Sequence, residues 1–364
     1  MQEFIMQMMP FFGKEEEEAL TNYMKSGGFV TEFKQTEQFE KAIAEYTNAK
    51  HCVVVNNGTI SLTLAALSLD INTGDEIIVP NYTMVATPNS VKLIGAKPVF
   101  VDVNIEDLCI DFNEVKKAIT KKTKAIMLVS ANGRYPKYID DLIKFADEKG
   151  LSIIEDAAQS LGSYYPDGTH IGLKGEIGSF SFSAPKIIST GQGGALVTNN
   201  DEIARKLRLL KDFGRAGGGG NDTHESIGFN FKFTDVQAVI GLEQMKKLPT
   251  RVIRKKEIWS LYSQNLENIK EISLFDHNLE KTAPWFIDSV CDERDKLSLF
   301  LKDNNIGTRN MYPPINHQEA YGVAGEHPIS NLIGEKGLWL PSAVQLTDDQ
   351  INYITQKIAE FYGY

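Results

Sequence analysis

The sequence predicts an α/β protein, with a mostly parallel central sheet covered by helices and a smaller α+β domain at its C-terminal end. Three observations lead there. Between residues 51 and 199, short apolar runs alternate with amphipathic helical stretches. Past residue 250 the rhythm changes to a mixture of short strands and helices, so the expected units are 1–249 and 250–364. Finally, the stretch GSFSFSAPKIISTGQGG at 178–194 sets one lysine, Lys186, between an alternating strand and a glycine-rich turn.

The first helix is expected over 15–24, stopped by Ser26-Gly27-Gly28. A second, over 36–46, carries Phe39, Ile43 and Tyr46 at helical spacing with Thr36 placed to cap it. HCVVV at 51–55 reads as a buried strand running through Asn56-Asn57-Gly58-Thr59 into a helix. Strand, glycine turn and helix in that order leave unpaired N–H groups at the helix start, which suits an anion, although a plain βα turn has the same pattern. Further strands are expected at 76–80, 98–103, 125–130, 151–156 and 194–199, with helices at 86–94, 113–119, 139–149 and 202–213. Ligands in such sheets collect at the carboxyl ends of the strands. The glycine run AGGGGN at 216–221 lacks the GK pair of a phosphate loop and reads as a flexible loop or lid. Two helices, 237–245 and 251–266, lead into the second unit, where FIDSVCD, a helix through DKLSLFLKDNN, a turn at Gly307 and a closing helix over 348–362 follow.

Composition excludes several classes of function. A net charge of −10 opposes binding to nucleic acid, which needs clustered Lys and Arg. The three cysteines, Cys52, Cys109 and Cys291, lie far apart without a CxxC, so neither a disulfide framework nor a cysteine metal site is expected, and the compartment reads as reducing. The N-terminus has no basic lead before an apolar run, and no apolar run reaches membrane-spanning length. The expected location is the cytoplasm.

The chemistry concentrates around Lys186. Phe180 and Phe182 fall on one face of the strand and Ser179, Ser181 and Ser183 on the other. Pro185 is expected to end that strand, and Gly191, Gly193 and Gly194 to shape the turn after it. Alone, Lys186 also reads as a strand-end lysine reaching water. Asp156 closes the strand LSIIED, with Ala157 and Ala158 leaving room beside it, and alone it also reads as a helix cap. Together they match what pyridoxal phosphate needs of a protein: an amine to form a Schiff base and a carboxylate to keep the pyridine nitrogen protonated. The turn at Gly58 would cradle the phosphate.

These motifs resemble the DegT/DnrJ/EryC1/StrS sugar aminotransferases, which adopt the fold-type-I aspartate aminotransferase fold. The resemblance runs over nearly the whole chain and rests on NNGT at 56–59, GDEIIVPNYTMVAT at 74–87, GAKPVFVDV at 95–103, IIEDAAQSLGS at 153–163, the lysine stretch, and GFNFKFTDVQAVIGLEQM at 228–245. It implies that 1–249 is the large cofactor domain, that Lys186 links to the cofactor and shuttles the proton, and that Asp156 partners the pyridine nitrogen. Gln159 would contact the phenolic oxygen. Gly58, Thr59 and Ser181 would hold the phosphate, joined by Asn230 from a neighbouring subunit, which implies a homodimer with shared sites. Gln159 and Asn230 also read as structural amides, and Ser181 as an inner-face strand residue.

Several positions depart from the family pattern. Met84 stands where relatives carry an aromatic residue, so a sulfur contact from Met84 or the ring of Tyr82 is expected against the cofactor. Ser130 replaces a histidine, with Arg134 added nearby; Ser183 replaces His or Tyr, and Lys232 an arginine. These changes, with Tyr82, Arg309 and Asn316, are expected at the substrate. The segment RNMYPPINHQEAY at 309–321 is most similar to the GDP-perosamine synthase group, with Asn316 in place of its usual histidine. The implied reaction moves an amino group from L-glutamate to a nucleotide-linked 4-keto-6-deoxysugar. Alternatives are amination at the third carbon, a dehydratase of the same family, against which the retained lysine argues, and a non-catalytic regulatory protein.

Overall fold

The computed structural model describes residues 3–215, 223–323 and 325–364. The glycine run at 216–221 lies outside the described residues. A seven-stranded sheet is built from β1 (His51–Val55), β2 (Glu76–Pro80), β3 (Lys97–Val101), β4 (Thr123–Val129), β5 (Ser152–Asp156), β6 (Ile177–Ser181) and β7 (Gly194–Thr198). Its order is β1-β7-β6-β5-β4-β2-β3. The pairs from β6 across to β3 are parallel, while β7 runs antiparallel between β6 and β1.

Period-two alternation sends each strand's side chains to two separate cores. Val54, Ile78 and Ile126 join Phe39, Phe180 and Phe182 on one face. Val53, Val55, Ile77 and Val79 join Leu62 and Leu64 on the other. Both faces are covered, which is why the strands read as nearly continuous apolar runs.

Four further strands, β8 (Ile272–Leu274), β9 (Ile287–Cys291), β10 (Arg309–Asn310) and β11 (Gly337–Leu340), form an antiparallel sheet in the order β10-β11-β9-β8. Its core holds Ile258, Tyr262, Ile287, Leu297, Leu338 and Ile351. A fourth cluster contains Tyr82 and Val103 from the first part of the chain and Phe275, Trp285, Phe286 and Trp339 from the second.

Three local expectations are corrected. Thr36 does not cap its helix, which spans Lys34–Thr47; the buried carboxylate of Asp235 takes that role from another helix. Asp235 accepts from the N–H groups of Phe33 (2.7 Å), Gln35 (3.0 Å) and Thr36 (2.9 Å), satisfying donors the helix itself cannot. The two helices expected on either side of Pro249 are one, Asp235–Leu266. Its buried residues run on through the proline, with Ala238, Met245 and Leu248 in the first core and Ile258, Tyr262 and Leu266 in that of the second sheet. Tertiary packing offsets a cost of about 3 kcal/mol for an interior proline. The lysine strand ends at Ser181 rather than Pro185: its register with β7 stops at Gly194, and the Phe182 main chain closes a turn instead, donating to the Gly193 carbonyl at 2.8 Å and accepting from the Thr190 N–H at 3.0 Å. None of the described helices is long and apolar enough to cross a membrane.

Candidate active site

β5 and β6 lie side by side in parallel, and their carboxyl ends carry the two charged groups. Asp156 is the last residue of β5 and is 6% exposed. Its Oδ2 accepts from the Thr87 hydroxyl at 2.7 Å and its Oδ1 from the Ala158 N–H at 3.3 Å. No helix starts there, so Asp156 is not a helix cap. Burial pushes its carboxyl above the usual range, and the bonds from Thr87 and Ala158 and the charge of Lys186 act against that shift. Thr87 is itself buried and meets Thr83, hydroxyl to hydroxyl, at 2.8 Å.

Lys186 sits on the loop after β6, its N–H donating to the Ser183 carbonyl at 3.0 Å. The residue is half-buried, with its Nζ turned in over the Trp285 ring, 4.0 Å from the centroid. Desolvation lowers the amine to about 8, and Asp156 partly holds it up. An amine in that range is part neutral, hence part nucleophilic, near neutral pH.

The anion-binding end is built by close backbone approach. Gly58 opens the helix Gly58–Ser68, whose cap is Asn57, accepting from the Ile60 N–H at 2.9 Å. A Cβ on Gly58 would lie 2.9 Å from the Cβ of Ser181, so glycine lets β6 reach the helix start. A Cβ on Gly194 would meet the Asn57 carbonyl at 2.5 Å. The helix start, whose first N–H groups have no partner within the helix, thus lies against Ser181 at Gly58. Ser181 Oγ lies 3.3 Å from that of Ser183.

Gln159 shares a small cavity with Ala158, Ser181, Lys186 and Trp285. Its Oε1 accepts from the Asn132 N–H at 2.6 Å, which leaves the NH₂ end as the one that can donate into the cavity. Tyr82 is buried and lines a second small cavity with Gln159, Arg134, Asp288, Tyr312 and Trp339. Met84 is 44% exposed, and its sulfur lies 3.0 Å from the Ala86 N–H.

The remaining expected residues have the following surroundings. Arg134 is 4% exposed and ion-paired with the buried Asp288. It also donates to the Asp107 carbonyl at 3.0 Å and to His277 at 2.8 Å. Burial works against its charge and Asp288 more than offsets that, holding the guanidinium above its ordinary range. Asn316 and Asn81 form a reciprocal pair at 2.7 and 3.0 Å, and the Asn316 amide donates to Asn331 at 3.0 Å. Arg309 is exposed, its guanidinium 5.5 Å from the Trp339 ring centroid and 6.0 Å from that of Tyr312. Asn230 is exposed, on a segment bridged to Asp212. Lys232 is held by Asp212 at 2.6 Å.

Sequence reasoning missed Trp285 and Thr87. Thr87 lies inside the quoted stretch at 74–87, one helical turn beyond Thr83, and that spacing could have drawn attention to it. Trp285 comes from the C-terminal part of the chain and has no local signal; only the fold brings its Nε1–H to the Pro185 carbonyl, at 2.7 Å.

A buried carboxylate and a depressed amine at the edge of a fold-type-I sheet define the class of pyridoxal-phosphate transaminases. The sequence pattern of the DegT/DnrJ/EryC1/StrS aminotransferase family matches residues 10–359, and the chain belongs to that family of sugar aminotransferases. A GDP-perosamine synthase of Escherichia coli O157:H7 is 33% identical, covering 97% of this chain and 97% of that protein. One of Vibrio cholerae is also 33% identical, covering 97% and 98%. Among solved structures, an aminotransferase from Psychrobacter cryohalolentis matches with a TM-score of 0.91 at 28% identity, covering 98% of each chain. S. venezuelae DesV matches with 0.90 at 30%, covering 96% of this chain and 95% of that one.

The family is dependent on pyridoxal phosphate. The residues here fit that group: a helix start that only glycine allows so close to Ser181, a buried carboxylate, and an amine with a lowered pKa.

Proposed function

We propose that this chain transfers an amino group from L-glutamate to the fourth carbon of a nucleotide-linked keto-deoxysugar, in the cytoplasm. The observation that carries the reading is Lys186, its amine on the Trp285 ring and within electrostatic reach of Asp156. The choice of substrate is supported by the 33% identity to GDP-perosamine synthases over 97% of the chain.

Pyridoxal phosphate, when bound, supplies the sink for the electron pair left on a carbon that loses its proton. In this reading Gly58, Thr59 and Ser181 bind the phosphate through N–H and O–H donors. Asp156 stays ionised and holds a proton on the ring nitrogen, with Thr87 fixing its carboxylate. Gln159 donates its amide N–H to the phenolic oxygen. Lys186 Nζ takes the proton from the glutamate α-carbon and later returns one to the sugar carbon. The buried Tyr82, rather than the half-exposed Met84, offers the ring face. Ser183 and Arg309 belong to the rim that meets the sugar and its nucleotide.

A second copy of the chain completes the site in this reading. Asn230 is exposed beside an apolar patch in which Ile227 is 82%, Phe229 43% and Phe213 41% exposed, a surface suited to a partner. Mixing inactive Lys186→Ala and Asn230→Asp chains should restore part of the activity after subunit exchange, since one site in each mixed pair is intact. No recovery despite demonstrated exchange would count against the shared site.

Substrate identity is tested by incubating the loaded enzyme with glutamate and a panel of GDP-, dTDP- and UDP-ketosugars, reading aminosugar and 2-oxoglutarate by mass spectrometry. Amination of the GDP-4-keto-6-deoxysugar above the others is expected. Preference for another nucleotide, or a product aminated at the third carbon, would overturn the substrate assignment.

A further inference from the structure

Beneath the site lies a second buried amine. Lys255, on the helix Asp235–Leu266, is 4% exposed. Its Nζ donates to the Trp285 carbonyl at 2.6 Å and to the Ser342 carbonyl. Among the described residues no carboxylate offsets its burial, which alone lowers the amine to about 7. A lysine kept inside without a counter-charge is costly, and an apolar residue of the same length would fill the space. What an apolar residue would not do is satisfy those two carbonyls.

The Trp285 carbonyl belongs to the residue whose ring carries the Lys186 amine. Trp285 is clamped twice: its carbonyl by Lys255, and its indole N–H by the Pro185 carbonyl, one residue before Lys186. The ring also stacks on Phe286, with centroids 3.8 Å apart. Lys186 and Lys255 line one cavity of about 20 Å³ together with Pro185 and Arg251. The two lysines are therefore joined through one tryptophan.

We infer that Lys255 is a positioning residue for the Lys186 amine, acting through Trp285. By fixing the Trp285 main chain it sets the plane of the indole, and the indole face sets where the amine rests and how strongly its charged form is favoured. The inference builds on the reading of Lys186 as the amine that meets the cofactor.

The test is Lys255→Met in the cofactor-loaded protein, followed by the pH titration of the visible absorbance of the lysine–cofactor linkage. Among the described residues, the charged groups that face Lys186 are Asp156, which acts on its amine, and Lys255 and Arg251, which line the same small cavity. If Lys255 acts through the ring, loosening the ring withdraws support from the charged form. The titration midpoint then falls by half a unit or more, and the glutamate half-reaction slows about tenfold or more with little change in KM. If Lys255 acted only as a nearby positive charge, its removal would raise the midpoint. If it were only a structural peg, the melting temperature would fall while midpoint and rate held. Either result overturns the inference.

A double-mutant cycle sharpens the route: in a Trp285→Leu background, Lys255→Met should no longer move the midpoint, and a full additive shift would exclude Trp285 as the link. Should Lys255→Met be insoluble, Lys255→Gln, which keeps N–H donors on a shorter, neutral side chain, takes the same readouts with a smaller fall expected and the same contrary outcomes. Persistence of the visible band in a Lys186→Ala control would remove the underlying reading of Lys186, whereas an unmoved band in the Lys255 variant removes only this inference.

Discussion

The two walls of the site differ in how their polar groups are used. On the wall made by β5, β6 and the start of the helix Gly58–Ser68, groups are held by one end and offered by the other. Gln159 is fixed through its Oε1, Asp156 is steadied by Thr87 and Ala158, and the Lys186 amine rests on a ring. On the wall around Arg134 and Asn316 the polar groups are matched inside the chain, by Asp288, Asp107 and His277 in one case and by Asn81 and Asn331 in the other. The difference teaches that residue type alone does not separate a polar group whose bonds are made inside the chain from one with a donor or charge left to offer; the disposition of its partners does. Substitutions on the first wall should cost chemistry, and those on the second should cost stability.

The largest effect is expected from Lys186→Ala. Steady-state transamination should be lost, while the melting temperature stays within a few degrees, since the variant removes a partly desolvated charge rather than a packed core group. Turnover at the parent rate, or an unfolded variant, would break the contrast.

Asp156→Asn should retain cofactor yet slow the glutamate half-reaction by about a thousandfold, because the neutral amide no longer holds a proton on the ring nitrogen. The same change has a signed pH signature. Burial lowers the Lys186 amine to about 8 and the Asp156 charge opposes it, so losing that charge should move the amine lower still. A rise in the NMR-measured pKa of Lys186 in the cofactor-free chain would contradict this.

Arg134→Met is the counterpart on the second wall. It strands the Asp288 carboxylate, which is 1% exposed, and should cost about 3–5 kcal/mol in chemical denaturation. Arg134→Met and Asp288→Leu combined should recover much of that loss. If Arg134→Met instead folds with parental stability and a large rise in sugar KM, Arg134 belongs to the ligand wall.

The smallest effect is expected from Asn316→Ala. It removes the acceptor of the Asn81 amide and the donor to Asn331, while the Asn316 N–H keeps its bond to Asn81, and should cost about 1–3 kcal/mol, with kcat for glutamate little changed. A selective loss of sugar turnover at parental stability would place Asn316 among the substrate contacts.

The strands of the large sheet were legible because their side-chain alternation and apolar runs are local properties; β1 and β2 fall at 51–55 and 76–80, as the pattern implies. The turn from β1 into the helix Gly58–Ser68 was legible too, since strand, glycine and helix follow one another directly. What escaped is what distant parts of the chain contribute. The cap of the helix Lys34–Thr47 comes from Asp235, 199 residues beyond Thr36 in sequence, so Thr36 looked like the cap. Trp285 meets the lysine loop from 100 residues away. Pro249 reads locally as a break, and only the packing of Leu248 and its neighbours shows why the helix continues. The fate of Arg134 likewise depended on Asp288, a strand residue of the second sheet.

The central claim is that Lys186 is the amine that meets the cofactor, and the molecule supplies its own rival in Lys255, a buried amine lowered further, to about 7. Borohydride reduction of the pyridoxal-phosphate-loaded protein, followed by peptide mass spectrometry, separates the two. One phosphopyridoxyl group per chain on the peptide containing Lys186 is the predicted result, and its appearance on Lys255 or on scattered surface lysines would contradict the account.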